Sequence, residues 1–464
     1  MIFDKLDLTI LFGFFAAILL IGFFTSRKNQ NDEEYLLAGR NVKLFLFVLT
    51  NVATWYGGIL GVGEFTYRYG LVNWFTQGLP YYIFAIIFAV FFVKKIKSFS
   101  NFTIPERMEQ MYGRRISLLS AVSVFVLASP APYLLMTGII ISHIFNISLP
   151  VALLISLGLT ATYPIIGGYK SDILTDVLFF FIMFIGFIVA AVFLLTHYGG
   201  IGFLQQHLPP EHMSLTGGVS RGYIVVWWLI ALWTFVDPGF FQRTQAAATP
   251  KIATYGILIS VLFWFLFDAL TNTVGLFARA LFPNVANPSQ SYLILADNIF
   301  SSGMKGLLYA GLIASILSTL NSFVFISATT LANDFMMKIP SLSGKYSLKK
   351  MTVAGIIIAS IVSFLLAVAI PSVIDLWYVI GSLVIPGLLF LLVSVYFPKW
   401  KVSPNIALLE ILSGFFVSIG WYLLRTYGFI TGTAAVIEPM VAGLIVVSII
   451  HGIGLVSARS KSTE

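Results

Sequence analysis

The stretch LFLFVLTNVATWYGGILGVGEF, residues 44–65, begins as an apolar membrane helix and then fills with residues that such helices usually avoid. It contains an asparagine, two threonines, four glycines, a Trp-Tyr pair and a glutamate. Because glycine lowers the cost of leaving helical geometry, this composition predicts an unwound segment from Gly57 to Gly63. Backbone carbonyls freed by a break can bind a cation, and the helix ends beside it can face a solute.

The composition is that of a polytopic membrane protein. Of the 464 residues, 58% are hydrophobic and only 10% are charged, and the mean hydropathy is +0.94. The absence of cysteine excludes disulfide bonds, thiolate metal sites and cysteine nucleophiles. The net charge of +8 comes from basic residues in short loops beside apolar runs. We therefore predict a lipid bilayer as the partner and no nucleic acid.

Thirteen apolar stretches are predicted to cross the membrane as helices, because a backbone in lipid must satisfy its own hydrogen bonds. The first run extends from Leu6 to Phe24 and has neither a basic leader nor a small-residue cleavage site, which predicts a retained helix rather than a signal peptide. No connection is long enough to fold as a soluble domain. The predicted spans are 6–25, 43–69, 73–93, 116–146, 148–166, 174–197, 223–245, 252–282, 305–335, 351–369, 374–397, 404–425 and 434–456.

The charges of the loops predict the orientation. With the N-terminus outside, all but six of the 27 Lys and Arg residues fall on the cytoplasmic side. Because short cytoplasmic loops are enriched in Lys and Arg, we expect the N-terminus outside and the C-terminus in the cytoplasm, with the chain in the cell membrane. The six residues on the outer side are Lys5, Arg68, Arg221, Arg279, Lys305 and Arg425.

A second broken span matches the first in position. The seventh span, YIVVWWLIALWTFVDPGFFQR from residue 223, is interrupted by Asp237-Pro238-Gly239, five spans after the interruption in the second. Corresponding broken helices in two halves indicate a transporter built from inverted repeats, 43–197 and 223–397, with an extra helix at 6–25 and two at 404–456. The alternative is that these Gly and Pro residues only permit close helix packing.

Six short stretches in order resemble the sodium:solute symporter family. They cover about residues 30–335 and fall in the topological positions that the family uses. The stretches are EEYLLAGRN (33–41), the glycine run leading to YRYGL (67–71), TIPERMEQMYGRR (103–115), GGYKSDILTDVL (167–178), DPGFFQRTQAAATPKIATYG (237–256) and ASILSTLNSFVFISATTLANDF (314–335).

This resemblance implies an all-α fold of the LeuT type, with a five-plus-five inverted-repeat core and sodium-coupled uptake by alternating access. Thirteen helices fit one helix before a ten-helix core and two after it. The first core helix departs from the family in carrying Trp55, Tyr56 and Glu64, where small or polar residues are expected.

The sequence SILST predicts part of a sodium site. Sodium is a hard cation that prefers oxygen ligands, and Ser318 and Thr319 stand side by side on a helix with Ser315 one turn earlier. The carbonyls of Asn51 and Thr54 in the broken helix can complete it, and the family resemblance implies the same five positions. The alternative is that the hydroxyls bond carbonyls one turn back within the helix.

The resemblance also implies a possible second sodium site around Asp176. Its other members would be Ser318, Asn321 and Ser322. The alternative is that Asp176 caps the start of its helix and remains solvated, with Thr175 in support.

The resemblance places substrate near the bilayer midplane, against core helices 1, 2, 6 and 10. Trp227 and Trp228 are interpreted as packing or membrane-belt residues. Glu64, Asp237 and Asp268 each cost about 2.5–3.5 kcal/mol at a helix centre and are functional candidates, with Glu64 and Asp237 able to share a cavity. The substrate-binding candidates are Trp55, Tyr56, Gly58, Gln77, Trp233, Thr234 and Asp237.

The predicted function is a sodium-driven importer of a small organic solute. A proline-like amino acid is the first candidate, and a sugar or a small monocarboxylate is the alternative; sodium is the only predicted cofactor. A channel would show pore loops or charged rings, and an enzyme a metal cluster or a nucleophile–base pair, and neither pattern is present. A transporter-like sensor would need a longer tail than the one after Val456. The sequence assigns no oligomeric state.

Overall fold

The computed structural model describes residues 3–25, 31–432, 434 and 437–460, without the side chains of 25, 159–167, 374, 375, 378 and 458–460. This part of the chain is helical and contains no strand beyond one isolated bridge between Val42 and Ala247. The α-helices are α1 (Lys5–Thr25), α2 (Asp32–Leu37), α3 (Leu44–Ala53), α4 (Ile59–Tyr69), α5 (Leu79–Phe91), α6 (Val93–Lys97), α7 (Ile104–Tyr112), α8 (Arg114–Leu127), α9 (Ala131–Phe145), α10 (Leu149–His197), α11 (Gly200–His207), α12 (Arg221–Ile230), α13 (Trp233–Val236), α14 (Pro238–Ala246), α15 (Pro250–Leu281), α16 (Ser291–Ile299), α17 (Met304–Thr330), α18 (Pro340–Ser343), α19 (Leu348–Ala369), α20 (Val373–Tyr396), α21 (Pro404–Thr426) and α22 (Pro439–Ser460).

Twelve helical stretches of the described chain are long and apolar enough to span a membrane, against thirteen predicted. The difference concerns the predicted span 148–166. It forms the first part of α10, which is kinked at Gly168, where φ is +62°. Only Leu149–Gly158 of that part has described side chains, and it is a shorter apolar helix. The other predicted spans each correspond to one of the twelve stretches.

The helix α17 forms the centre of the bundle. Its most apolar stretch is wholly buried, whereas only 28% of that of α1 is buried, as expected for a helix facing lipid. Small residues let α10 and α17 approach closely: a Cβ added at Gly186 would lie 2.9 Å from the carbonyl oxygen of Leu307. Because α17 is covered on all sides, its many hydroxyls must find partners within the protein.

The first helix break is shorter and earlier than predicted. The chain leaves α geometry in a 3-10 segment at Thr54–Gly58, where Tyr56 has φ −91° and ψ +19°, and resumes it in α4. Gly61 and Gly63 are therefore helical, and the predicted unwinding as far as Gly63 is wrong. These glycines admit neighbouring rings instead, since an added Cβ would lie 2.6 Å from Trp377 Cζ3 and 2.7 Å from Tyr292 Cε2, respectively.

The second break lies at the predicted position. Helix α13 ends at Val236, Asp237 is extended with ψ 116°, and α14 begins at Pro238. Proline suits the first helical position because it has no N–H to satisfy there, and the Asp237 side chain accepts a 2.9 Å hydrogen bond from the amide of Phe240. A carboxylate at the start of α14 also interacts favourably with the helix dipole.

Candidate functional site

A cavity of about 180 Å³ lies between the two helix breaks. Six of the seven predicted substrate-binding residues line it, namely Trp55, Tyr56, Gly58, Gln77, Trp233 and Asp237. Thr234 is outside the lining and is 1% exposed. Consecutive residues of a helix point about 100° apart, and in α13 it is Trp233 rather than Thr234 that faces the cavity.

The cavity walls are largely aromatic. The indole rings of Trp55 and Trp264 stack with centroids 4.6 Å apart, and the Tyr56 hydroxyl donates a 2.5 Å hydrogen bond to the carbonyl oxygen of Trp264. Sequence reasoning missed several other lining rings, since nothing in an apolar span marks which of its aromatic residues face inward. These rings belong to Phe65, Tyr81, Tyr133, Trp227, Phe323 and Trp377.

The adjacent tryptophans Trp227 and Trp228 have different surroundings. Trp227 packs edge-on against Phe65, with ring centroids 5.0 Å apart, and also lines the cavity, which the interpretation as a packing or belt residue did not predict. Trp228 packs on Phe75 and donates from Nε1 to the carbonyl oxygen of Phe75 at 3.2 Å. The adjacent positions differ because consecutive residues of α12 point in different directions.

Two carboxylates, Asp237 and Asp268, line the cavity, and its described lining contains no Lys, Arg or His. Glu64 lies outside it. The Glu64 carboxylate is 2.9 Å from Arg68 Nε, one turn further along α4. The expectation that Glu64 and Asp237 share a cavity is therefore wrong, because Glu64 has an ion-pair partner on its own helix.

A cluster of hydroxyls surrounds Asp176, between the first break and α17. Ser318 Oγ donates to Asp176 Oδ1 at 2.5 Å, and Thr50 donates to Oδ2 of the same carboxylate. Thr54 Oγ1 lies 3.1 Å from Ser318 Oγ, and Thr319 Oγ1 donates to the carbonyl oxygen of Thr54 at 2.6 Å. Three elements distant in sequence thus bring their oxygen atoms to one buried point.

The other two predicted sodium ligands differ in their described contacts. Ser315 Oγ donates to the carbonyl oxygen of Gly311 at 2.9 Å, which is the intrahelical bond of the alternative interpretation. Asn51 is 4% exposed and its Nδ2 has no hydrogen-bond partner among the described residues. Sequence reasoning missed Thr50, whose position one turn before Thr54 was the available signal.

Asp176 is fully buried inside α10, so its interpretation as a solvated helix cap is wrong. Thr175, which supported that interpretation, donates instead to the backbone carbonyl oxygens of Ser171 and Asp172. Helix α10 continues through this region because the kink at Gly168 precedes it by two turns. A buried carboxylate of this kind needs hydrogen-bond donors or a cation.

Ser322 belongs to a neighbouring cluster, not to the contacts of Asp176. Its hydroxyl donates to Asp172 Oδ2 at 2.6 Å and accepts from Arg243 Nη2 at 3.2 Å. Asn321, the residue before Ser322 on α17, is buried, and both polar atoms of its side chain have no partner among the described residues. With Asp172 and Asp176 both ionised, two negative charges face the single positive charge of Arg243. One further positive charge would make this buried region neutral.

A polar network joins the chain before α3 to the end of α14. Arg40 donates to Gln245 Oε1 at 2.5 Å and to the carbonyl oxygen of Ser100 at 2.6 Å. Lys97 Nζ donates to the carbonyl oxygens of Gln245 and Ala247 at 3.0 and 2.7 Å. Burial, with the charge of Arg40 as a smaller cause, lowers the pKa of Lys97 to about 8.

The model of the sodium:solute symporter family matches residues 35–409. The chain belongs to the sodium:solute symporter family. The family's name describes symporters, which are membrane transporters rather than enzymes, and twelve helical stretches of the described chain are long and apolar enough to span a membrane. The match includes both helix breaks, the cavity between them and the Asp176 cluster.

The relatives of this chain are named for different solutes. It is 28% identical over 268 residues to human high affinity choline transporter 1, a match covering 54% of this chain and 45% of the relative. It is 23% identical over 471 residues to the osmoregulated proline transporter OpuE of Bacillus subtilis, covering 93% of this chain and 92% of OpuE. The chain therefore spans less than half of the first relative and nearly all of the second.

A solved structure confirms the fold of this chain. The substrate-bound, outward-open structure of a Na+-coupled sialic acid symporter matches with a TM-score of 0.82 at 17% identity, over 98% of both chains. The all-α, five-plus-five LeuT-type architecture expected from the sequence is thus confirmed. At this level of identity the likeness concerns the fold alone.

Proposed function

We propose that this protein is a sodium-coupled symporter that imports a small organic solute across the cell membrane by alternating access. The main support for the proposal is that two residues are common to both sites. Thr54 and Thr319 belong to the oxygen cluster around Asp176 and also line the cavity. A cation held by the cluster and a solute in the cavity would contact the same residues. Each would therefore stabilise the conformation that the other binds.

The sodium ligands in this proposal are the hydroxyls of Ser318 and Thr319 and the carbonyls of Asn51, Thr54 and Ser315. Asp176 supplies a negative charge beside them, since its carboxylate contacts Ser318 directly. Neutral oxygens near one carboxylate suit a monovalent cation that must also be released. A second ion would lie nearer Asn321, whose two polar side-chain atoms are buried and have no partner among the described residues.

The first candidate substrate is a proline-like amino acid, a zwitterion. Helix α4 begins at the break without a side-chain cap, so the positive end of its dipole is available to a carboxylate, while the Ile59 amide donates to the carbonyl oxygen of Tyr56. The carboxylates of the cavity suit an amine. A monocarboxylate finds no basic side chain in the described lining, whereas a sugar would rely on Asn73, Gln77 and Ser382.

The two halves of the transporter would be residues 43–197 and 223–397, with the helices at 6–25 and 404–456 outside the core. This division puts one break at the start of each half and α17 opposite the first break. Alternating access would then be a movement of one set of helices against the other around the cavity.

A thermal-shift screen of the purified protein against a solute library, in sodium and in potassium, tests the proposal. We expect a small amine-containing solute to raise the melting temperature in sodium much more than in potassium. Reconstituted into vesicles, the protein should accumulate that solute only when a sodium gradient is imposed. Stabilisation and uptake that are equal in the two salts would refute sodium coupling.

A further inference from the structure

Asp268 is a buried carboxylate that the oxygen cluster does not use. It lies on α15, is 6% exposed and lines the cavity. The Tyr82 hydroxyl donates to its Oδ2. Gly78 permits this approach, since an added Cβ would lie 2.8 Å from Asp268 Oδ2 and 3.0 Å from the Tyr82 hydroxyl oxygen.

The two carboxylates of the cavity are compensated differently. Asp237 caps α14 and lies beside Arg243. A Cβ added at Gly239 would lie 2.8 Å from Asp237 Oδ1 and 2.7 Å from Arg243 Nη1. Asp268 has no basic partner within salt-bridge distance among the described residues, and its hydrogen-bonding neighbours there are the hydroxyls of Tyr82 and Tyr56. The charge of Asp268 therefore remains available to a ligand.

The surroundings of Asp268 suit an organic cation. Trp264, one turn earlier on α15, stacks on Trp55, and Tyr56 packs edge-on against Phe267 with ring centroids 4.4 Å apart. Aromatic faces attract alkylated ammonium groups, and the attraction is stronger in a site with little water. Trp55 and Tyr56 line the same cavity as Asp268, so a carboxylate and aromatic rings border the space in which a positively charged, carbon-substituted nitrogen could bind.

We propose that Asp268 is the counter-charge for a cationic nitrogen of the substrate, and that it determines the preference of the cavity for protonated or quaternary amines. Tyr82 is a positioning residue that holds the carboxylate toward the cavity. The inference rests on the proposed function and narrows its substrate class. Proline-like secondary amines and choline-like quaternary amines both have the required charge, and the experiment separates them.

The test uses pairs of ligands that differ only in charge at one atom. L-Proline is compared with cyclopentanecarboxylate, in which carbon replaces the nitrogen. Choline is compared with its uncharged isostere, in which a tert-butyl group replaces trimethylammonium. Affinities are measured by thermal shift in sodium for the full-length wild type, Asp268→Asn, Asp268→Glu and Tyr82→Phe. The asparagine retains an acceptor for Tyr82 and removes the charge.

We expect the wild type to prefer the charged member of at least one pair, and Asp268→Asn to reduce that preference by roughly tenfold or more. Asp268→Glu should restore much of it, and Tyr82→Phe should weaken binding while leaving the preference in place. Stabilisation by sodium alone should persist in Asp268→Asn, which shows that the variant is folded. The pair with the larger preference identifies the class of amine.

Four outcomes would overturn the inference. An Asp268→Asn variant with the wild-type preference would exclude the counter-charge role, as would a wild type that binds neither charged probe. A larger loss in Asp237→Asn, measured in parallel, would transfer the role to Asp237. Sodium-driven uptake of a neutral solute would leave the proposed function intact while refuting this inference. Amine binding that is indifferent to sodium would do the reverse.

Discussion

Thr319 on α17 donates a hydrogen bond of 2.6 Å to the carbonyl oxygen of Thr54, the residue at which the first core helix leaves α geometry. The bond spans 265 positions in sequence. It joins the break to the most buried helix of the bundle, and both of its residues reach the cavity. A change in either partner should therefore affect cation binding and solute binding together.

The first prediction concerns coupling. Because the Ser318 and Thr319 hydroxyls contact Asp176 and Thr54, we expect the Ser318→Ala/Thr319→Ala double variant to need roughly tenfold more sodium for half-maximal uptake. The measurement is sodium-dependent uptake into vesicles at fixed solute. Ser327→Ala is the control, since that hydroxyl is also buried on α17 but donates to the carbonyl oxygen of Ala128. An unchanged sodium requirement in the double variant would remove the site from α17.

The second prediction concerns the two glycines at the end of the break. A Cβ at Gly57 would lie 2.2 Å from Thr319 Cβ, and one at Gly58 would lie 2.4 Å from Trp377 Cη2. We expect Gly57→Ala to raise the sodium requirement and Gly58→Ala to raise the KM for solute, each by severalfold, because overpacking costs about 1–3 kcal/mol. Gly420→Ala is the control, since its Cβ meets nothing within 4 Å.

The two glycine variants must be tested for an effect on folding as well as on transport. If both substitutions affect only protein yield in the membrane, and uptake per folded molecule matches that of Gly420→Ala, the glycines serve folding alone. The distinction requires uptake to be normalised to the quantity of folded transporter, measured by size-exclusion chromatography.

The third prediction concerns orientation. The loop bias of basic residues places the connection before α19 in the cytoplasm and the connection before α12 outside. The chain has no cysteine, so single cysteines at exposed Lys345 and Thr216 are clean reporters. An impermeant maleimide added to intact cells should label Thr216→Cys and spare Lys345→Cys. The opposite pattern would invert the topology.

The fourth prediction concerns pH. The folded-state pKa of Lys97 is lowered to about 8 from an ordinary value of 10.5, so the unfolded chain binds more protons between these limits. The contribution of Lys97 to the free energy of unfolding should therefore rise with pH from about 8 to about 10.5. In detergent, wild type minus Lys97→Met should show a melting-temperature difference that grows in favour of wild type across this range. A difference independent of pH would contradict the prediction.

The sequence was sufficient to predict features that depend on local composition. A long apolar run must be a helix in lipid, whatever surrounds it, so the spans followed from hydropathy. The break at Asp237 also followed, because Pro238 cannot donate a helical hydrogen bond and Asp237 satisfies the amides after it. The first break was placed too late, since glycine permits unwinding without requiring it, and Gly61 and Gly63 serve the packing of Trp377 and Tyr292 instead.

The partners of each side chain were decided by the tertiary structure. No local signal distinguishes Trp227, which lines the cavity, from Trp228, which packs on Phe75. Nor does one predict that Ser322 donates to Asp172 whereas Ser318 donates to Asp176. These outcomes depend on the rotation and depth of each helix, which are set by packing against neighbouring helices. Hydropathy is a property of a whole segment and can be read from its sequence. A binding site is formed by particular sides of several helices, and which side points inward is decided only when the helices pack against one another.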